Sequence, residues 1–272
     1  MNSLTHLRHS LGELDLRAAG AVFCADLEGS RKVLGRDVRG YLGMTFLKQY
    51  VIRLDFELGK VQFRRWDGRG HPDWGSKVHL FTEESSQIPI VKVALLQVGP
   101  VDCELDSGSN ENLNLTPGLF SKTSGKMRAV EGLHETAAGT RLSRRSRIAS
   151  LTLGGFAHRD LMVTESQDNR LGLGLLSRYV VTLDFPGMTM YLRATGDRRN
   201  TDEMDMSGLH LWCLNNRITV HSVDKGSPAW EAGIRSEDAL LKAGEKSVTA
   251  ASVFDVRDYL MSGEGKEVKL TL

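Results

Sequence analysis

Hydrophobic and polar residues alternate with a period of two along Tyr50-Val-Ile-Arg-Leu-Asp-Phe56, break at Glu57-Leu-Gly59 and resume in Lys60-Val-Gln-Phe63. That pattern predicts two antiparallel strands joined by a tight turn. The same design returns as Tyr179 to Phe185, a turn at Pro186-Gly187, and Met188 to Leu192. Gly43 to Phe56 and Gly172 to Phe185 align at a constant offset of 129, with Tyr50 over Tyr179 and Asp55 over Asp184. Arg64 and Arg193 keep that offset, so the register survives both strands and the turn. The chain reads as an internal duplication, and its first copy opens on a compact apolar segment, Tyr41 to Leu47, that suits a short helix or turn.

Between the copies, Ile88 to Val98 and Val101 to Leu105 read as strands, whereas Ser107 to Asn112 predicts a tight turn that leaves Asp106 at a strand's end. Val130 to Arg141 and Ile148 to Leu153 are strand-compatible, and Gly154-Gly155 marks another hairpin. Trp66 to Ser86, rich in Gly, His, Asp and Ser, reads as a connector, and the charged run Ala194 to Met206 as a linker that cannot pack a core. Beyond it comes a strand at Ile218 to Val223, then a helix capped by Ser227, entered at Pro228 and ended by Gly233. A strand at Ala239 to Ala243 follows, then a helix over Ser252 to Met261 with Val253, Val256, Leu260 and Met261 on one side, and a strand at Glu267 to Leu272. The expected organisation is mainly β: a partial lobe over residues 1–66, a connector over 67–87, a complete lobe over 88–194, a linker over 195–206 and a small α+β module over 207–272.

Composition narrows the partners. The chain has 35 basic and 34 acidic residues, a net charge of +1, so no global field draws it to nucleic acid or to an anionic membrane. No apolar run reaches the roughly 20 residues that span a bilayer, and Ala18 to Ala25 is short and interrupted. Cys24, Cys103 and Cys213 are odd in number and scattered, which fits neither a disulfide framework nor a metal site, and Cys24 and Cys103 read as small buried apolar residues. The eight histidines adopt no two-ligand spacing with a nearby carboxylate, so no metal is expected, and the chemistry considered below needs no organic cofactor. Arg141, Arg144, Arg145 and Arg147, without interleaved aromatics, read as a solvated strand edge rather than a nucleic-acid site. Gly172-Leu-Gly174 lacks the third glycine of a dinucleotide loop and reads as a packed turn.

An isolated Asp-Ser-Gly is commonly no more than a capped turn. Here an apolar strand delivers Asp106-Ser107-Gly108, and Leu171-Gly172 with its hairpin follows, a combination that resembles the retropepsin-like and pepsin-like aspartic proteases over roughly residues 20 to 193. The resemblance implies peptide hydrolysis with Asp106 as catalytic carboxylate, Ser107 bonding across the lobes and Gly108 letting backbone approach. Gly132 to Gly139 would then be a flap over substrate, and Asn110 departs from the small or hydroxylated residue frequent at its position.

Ser207 to Leu272 resembles a PDZ domain of the bacterial protease-associated kind, through Gly208-Leu-His-Leu211, Ser227-Pro-Ala, Ala232-Gly233 and the last helix. This implies capture of an extended peptide or a C-terminus by strand addition, at a site formed by Gly208, Leu209, His210, Leu211, Val256 and Leu260, with loop amides holding the carboxylate.

Such a protease needs two carboxylates sharing one proton around a water, because two like charges that close cannot both ionise. Asp106 alone has that setting, and the repeat offset puts its counterpart 23 positions before Met1. Three accounts stay open. A start upstream of Met1 is preferred, since a late start would remove a strand, the first Asp turn and any signal peptide together. Alternatively two copies pair as a homodimer and bring two Asp106 residues together, or catalysis has been abandoned and a peptide-binding scaffold remains. Met1 to His6 lacks the basic head and apolar stretch of a secretory signal, whereas the family resemblance implies export.

Overall fold

A computed structural model describes residues 25–82, 87–125, 127, 129–136, 139–195, 205–261, 263 and 265–272, together with four two-residue strands nearer the start. Those are β1 (Ser3–Leu4), β2 (Ser10–Leu11), β3 (Leu14–Asp15) and β4 (Val22–Phe23), with β1 paired to β4 and β2 to β3. Strands far outnumber helices among the described residues, so the protein is mainly β.

Helix α1 (Glu28–Leu34) ends at Gly35, whose left-handed φ of 59° lets its N–H return to the Arg31 carbonyl. The repeated sequence folds into a repeated unit. Helix α2 (Met44–Leu47) leads into the hairpin β5 (Tyr50–Asp55) and β6 (Lys60–Arg65), and helix α4 (Leu173–Leu176) into β15 (Tyr179–Asp184) and β16 (Thr189–Ala194). Both helices are entered from an extended glycine, Gly43 and Gly172. Both hairpins turn on an aspartate that accepts an N–H three residues on, Asp55 from Leu58 at 3.1 Å and Asp184 from Gly187 at 2.8 Å.

Between them lie β7 (Ser76–Thr82), β8 (Pro89–Leu95), β9 (Gly99–Asp106), β10 (Leu113–Leu115), helix α3 (Pro117–Ser124), β11 (Val130–Thr136), β12 (Gly139–Leu153), β13 (Phe156–Glu165) and β14 (Arg170–Gly172). One twelve-stranded sheet takes them all, in the order β11-β12-β13-β10-β14-β9-β8-β7-β16-β15-β5-β6. A further pairing of Leu151 with Leu95 joins β12 to β8 and curls the sheet on itself. The enclosed core is mostly aliphatic, with Val91, Val93, Leu113, Leu161, Val163 and Leu171 removed from solvent.

The connector expected over residues 67–87 contains β7, a strand that pairs with β16 on one side and β8 on the other and so belongs to the sheet. Its inward residues are Val78 and Leu80. The arginines of β12 do not line an edge either, because β12 runs between β11 and β13. Arg144 forks onto Glu165 at 2.5 and 2.9 Å, Arg145 reaches Glu111, Arg147 reaches Asp160 and Arg141 donates to Ser166. The expected linker over 195–206 lies largely outside the described residues.

A second core belongs to β17 (Leu209–Leu214), β18 (Arg217–Val223), helix α5 (Pro228–Glu231), β19 (Ala239–Leu240), β20 (Lys242–Ala243), β21 (Lys246–Ser247), helix α6 (Val253–Leu260) and β22 (Leu270–Thr271). Ser227 caps α5 by accepting the Trp230 N–H, and Gly233 follows it at φ 85°. The strand expected over Ala239 to Ala243 is broken into β19 and β20, which belong to different sheets, and the last strand is limited to Leu270–Thr271.

Candidate active site and peptide groove

β14 runs between β9 and β10, parallel to the first and antiparallel to the second. In the parallel pair Gly172 stands level with Asp106 and Leu171 with Leu105. The turn after Asp106 is pressed onto this glycine. Gly172 N donates to Asn112 O at 3.2 Å, Leu173 N to Ser109 O at 2.7 Å and Gly174 N to Glu111 O at 3.1 Å. A methyl group at 172 would lie 2.3 Å from Glu111 O and 2.9 Å from Ser109 O, which is why this apolar segment carries glycine there.

Asp106 itself is part-exposed at the strand's end. One carboxylate oxygen accepts the Gly108 N–H at 2.8 Å, and the other lies 3.7 Å from the Arg170 guanidinium. Arg170 also reaches Glu104 at 3.3 Å and Asp168 at 2.7 Å, so three carboxylates share one cation around the turn. Ser107 and Gly108 are exposed. The hydroxyl contacts that brace the turn come from Ser109, which donates to Asn114 Oδ1 at 3.2 Å and accepts the Glu111 N–H at 3.3 Å. Only its adjacency to Asp-Ser-Gly could have marked Ser109 in the sequence. Arg170 carried no signal at all, since its contact with Asp106 depends on how β14 registers against β9.

Glu111 ties this turn to the hairpin β11–β12, because its carboxylate receives Arg145 at 3.4 Å and the Thr164 hydroxyl at 2.8 Å. The hairpin occupies the position of the expected flap, although residues 137 and 138 at its tip are outside the described set. Its Leu133 N–H donates to Asp224 Oδ1 at 3.3 Å, and the same oxygen lies 3.1 Å from His210 Nε2.

The residues expected to bind peptide fall into two groups. Leu209, Leu211, Val256 and Leu260 pack together in the second core. Gly208 and His210 instead surround Asp224, and Gly208 adopts φ 75° with its α-carbon so close to Ser227 that a methyl group would sit 2.3 Å from Ser227 Cβ. The Leu209 N–H is received by Ser207 Oγ at 3.1 Å. β17 is an edge strand, hydrogen-bonded to β18 on one side, and α6 flanks its other side, where Arg257 donates to Leu211 O at 3.2 Å. An edge strand beside a helix is the geometry that accepts an added peptide strand.

Residues 219–272 match the PDZ domain family. The match begins within β18; β17 precedes it, pairs with β18 and shares its core. A search of curated proteins produced no match. Among solved structures, EIAV protease complexed with the inhibitor HBY-793 is similar over 35% of this chain and 91% of its own, at 17% identity and a TM-score of 0.29. That is a weak structural likeness to a retroviral aspartic protease.

Proposed function

We propose that this chain is an aspartic-type endopeptidase in which Asp106 activates water and the PDZ domain holds the polypeptide. The observation that carries the reading is the position of Asp106 level with Gly172, on a turn clamped by three backbone hydrogen bonds under the inserted strand β14. A carboxylate mounted on strands in this way keeps a fixed aim at a reacting atom. The repeated unit supports the two-lobe part of the reading, since β5 and β15 pair with each other as equivalent edges of the two copies.

In the proposed reaction one carboxylate takes a proton from water as its oxygen attacks the scissile carbonyl carbon, and a second, protonated carboxylate gives its proton to the carbonyl oxygen. Collapse of the tetrahedral species breaks the C–N bond as the nitrogen takes the proton that the first carboxylate had received, and the second carboxylate regains its proton from a hydroxyl of the diol. Asp106 is one member of the pair. The other is a carboxylate brought to Asp106 from a second turn, for which Asp106 of a second copy is the source this sequence offers. The flap-like hairpin and the PDZ domain meet at Asp224, which puts the peptide-holding module next to the element proposed to cover the cleft.

A second reading, a peptide-binding scaffold without catalysis, is favoured by one contact. Arg170 lies 3.7 Å from Asp106 and competes with a second carboxylate for the same negative charge. Incubation of the chain with an unfolded protein substrate at acidic and neutral pH, beside Asp106→Asn, separates the two. Cleavage lost in Asp106→Asn supports the protease, equal cleavage by both removes Asp106 from the mechanism, and cleavage by neither leaves the scaffold.

A further inference from the structure

The end of α1 and Gly35 lie against the edge of the PDZ domain where a peptide would add. Arg257 on α6 donates to Leu211 O of β17 at 3.2 Å and, at 3.0 Å, to Val33 O in the last turn of α1. Val33 O is one of the carbonyls that a helix leaves without an internal partner at its C-terminal end, so a cation there is doubly favourable. Gly35 follows, wedged between the two walls of the groove. A methyl group on it would sit 2.3 Å from Ala250 O, in the turn that enters α6, and 2.8 Å from Cys213 Sγ of β17. Lys32 lies 5.7 Å over the Trp212 ring on the same strand.

We propose that α1 and Gly35 are a resident internal ligand of the PDZ groove, and that an external peptide enters only when they leave. The proposal rests on the peptide-binding reading of that groove. The contact is built to be broken. None of the residues of α1 is buried, and a helix of 7 residues is marginal by itself. Its hold comes from a few polar contacts and from its covalent tether, which keeps the local concentration of the segment high. An added strand would need the Leu211 carbonyl that Arg257 occupies and the space that Gly35 fills, so the two occupants exclude each other. Because the same chain carries the lobe with Asp106, displacement of α1 would turn peptide arrival into a movement of the segment that leads to α2 and β5.

The test uses the full chain in a Cys24→Ser background, with alkylation of Cys213 as one readout and binding of a labelled synthetic peptide of residues 26–38 as the other. Gly35→Val collides with the Ala250 carbonyl and forces a β-branched residue into a left-handed conformation, so it expels the segment without altering the groove. Lys32→Pro, which breaks α1 from within, is the second release variant should the first fold poorly. In both, Cys213 alkylation and peptide affinity are expected to rise on the order of tenfold or more over the parent, because the tethered competitor is gone. Cys103 in the lobe core stays protected and shows that the lobe is intact, while the gain in peptide affinity requires a folded PDZ domain. Equal alkylation in parent and variants overturns the proposal. Faster alkylation without peptide binding by any variant shows that α1 covers a surface that does not take peptide, which sinks both the internal-ligand proposal and the peptide-binding reading while leaving the Asp106 experiment untouched.

Discussion

Arg53 stands directly opposite Thr182 in the antiparallel pair β5–β15, and the two are equivalents under the repeat of 129 residues. One step to either side, Leu54 faces Val181 and Ile52 faces Leu183, so each pairing is the other with both members exchanged for their repeat counterparts. A local two-fold axis through the 53/182 pair carries one hairpin onto the other. This geometry supports the proposed two-lobe reading, because such an axis would also relate the turns that each copy presents to a shared cleft.

Thr182 at that axis is buried, and its hydroxyl has no hydrogen-bond partner among the described residues. A buried hydroxyl left without a partner loses its hydration and gains nothing in return. Thr182→Val keeps the shape, suits a strand better and is expected to raise stability by about 1 kcal/mol. A urea midpoint that moves down instead would show that the hydroxyl serves the fold.

Gly43 and Gly172 are repeat equivalents with opposite surroundings. A methyl group at 43 meets nothing within 4 Å, whereas at 172 it strikes the Glu111 and Ser109 carbonyls. Gly172→Ala is therefore expected to cost about 3 kcal/mol through forced backbone shifts, and Gly43→Ala to stay within about 0.5 kcal/mol. Equal thermal shifts for the two would mean that the turn after Asp106 is not clamped.

Both hairpins were legible in the sequence because strict alternation and a turn residue coincide in each, and the duplicated register reinforced them. β7 is masked in the sequence although Val78 and Leu80 alternate, because its flanks are rich in glycine, proline and aspartate and one of its partners, β16, comes from a distant part of the chain. β17 is hard to read locally because Gly208 opens it as a loop would, whereas pairing with β18 carries the strand through a bulge between His210 and Leu211. Position at the strand end was readable for Asp106 from the apolar run before it. Its arginine neighbour was not, and neither was the packing of Gly35 against Ala250, because both follow from tertiary register rather than local pattern.

The fork between Arg144 and Glu165 links β12 to β13 below the flap-like hairpin. The Arg144 guanidinium, through its hydrogen bond and charge, holds the Glu165 carboxyl below its ordinary value of 4.5. Folded Glu165 thus binds its proton less readily than in the unfolded chain, so its contribution is present above 4.5 and is lost as pH falls through the folded value. Because Arg144 is substantially exposed, Glu165→Gln is expected to cost less than about 1 kcal/mol at neutral pH. Its melting temperatures should converge on those of the parent as the medium is acidified. A constant difference at every pH would assign the loss to packing.

Asp184 works in the opposite sense. Burial raises its pKa above the ordinary 3.8 and outweighs the Gly187 N–H and the Trp66 side chain, which favour the charged form, while Asp67 adds to the rise. Over the interval between 3.8 and that raised value the folded chain holds more protons than the unfolded one. Stability linked to this residue is therefore full below 3.8 and declines as pH rises through the folded value. Asp184→Asn keeps an oxygen for the Gly187 N–H and cannot ionise, so its stability should not show that decline. Thermal unfolding followed from acid to neutral pH decides the matter: the parent loses stability relative to Asp184→Asn across the interval, and parallel curves would mean that the turn of the second hairpin carries no proton linkage.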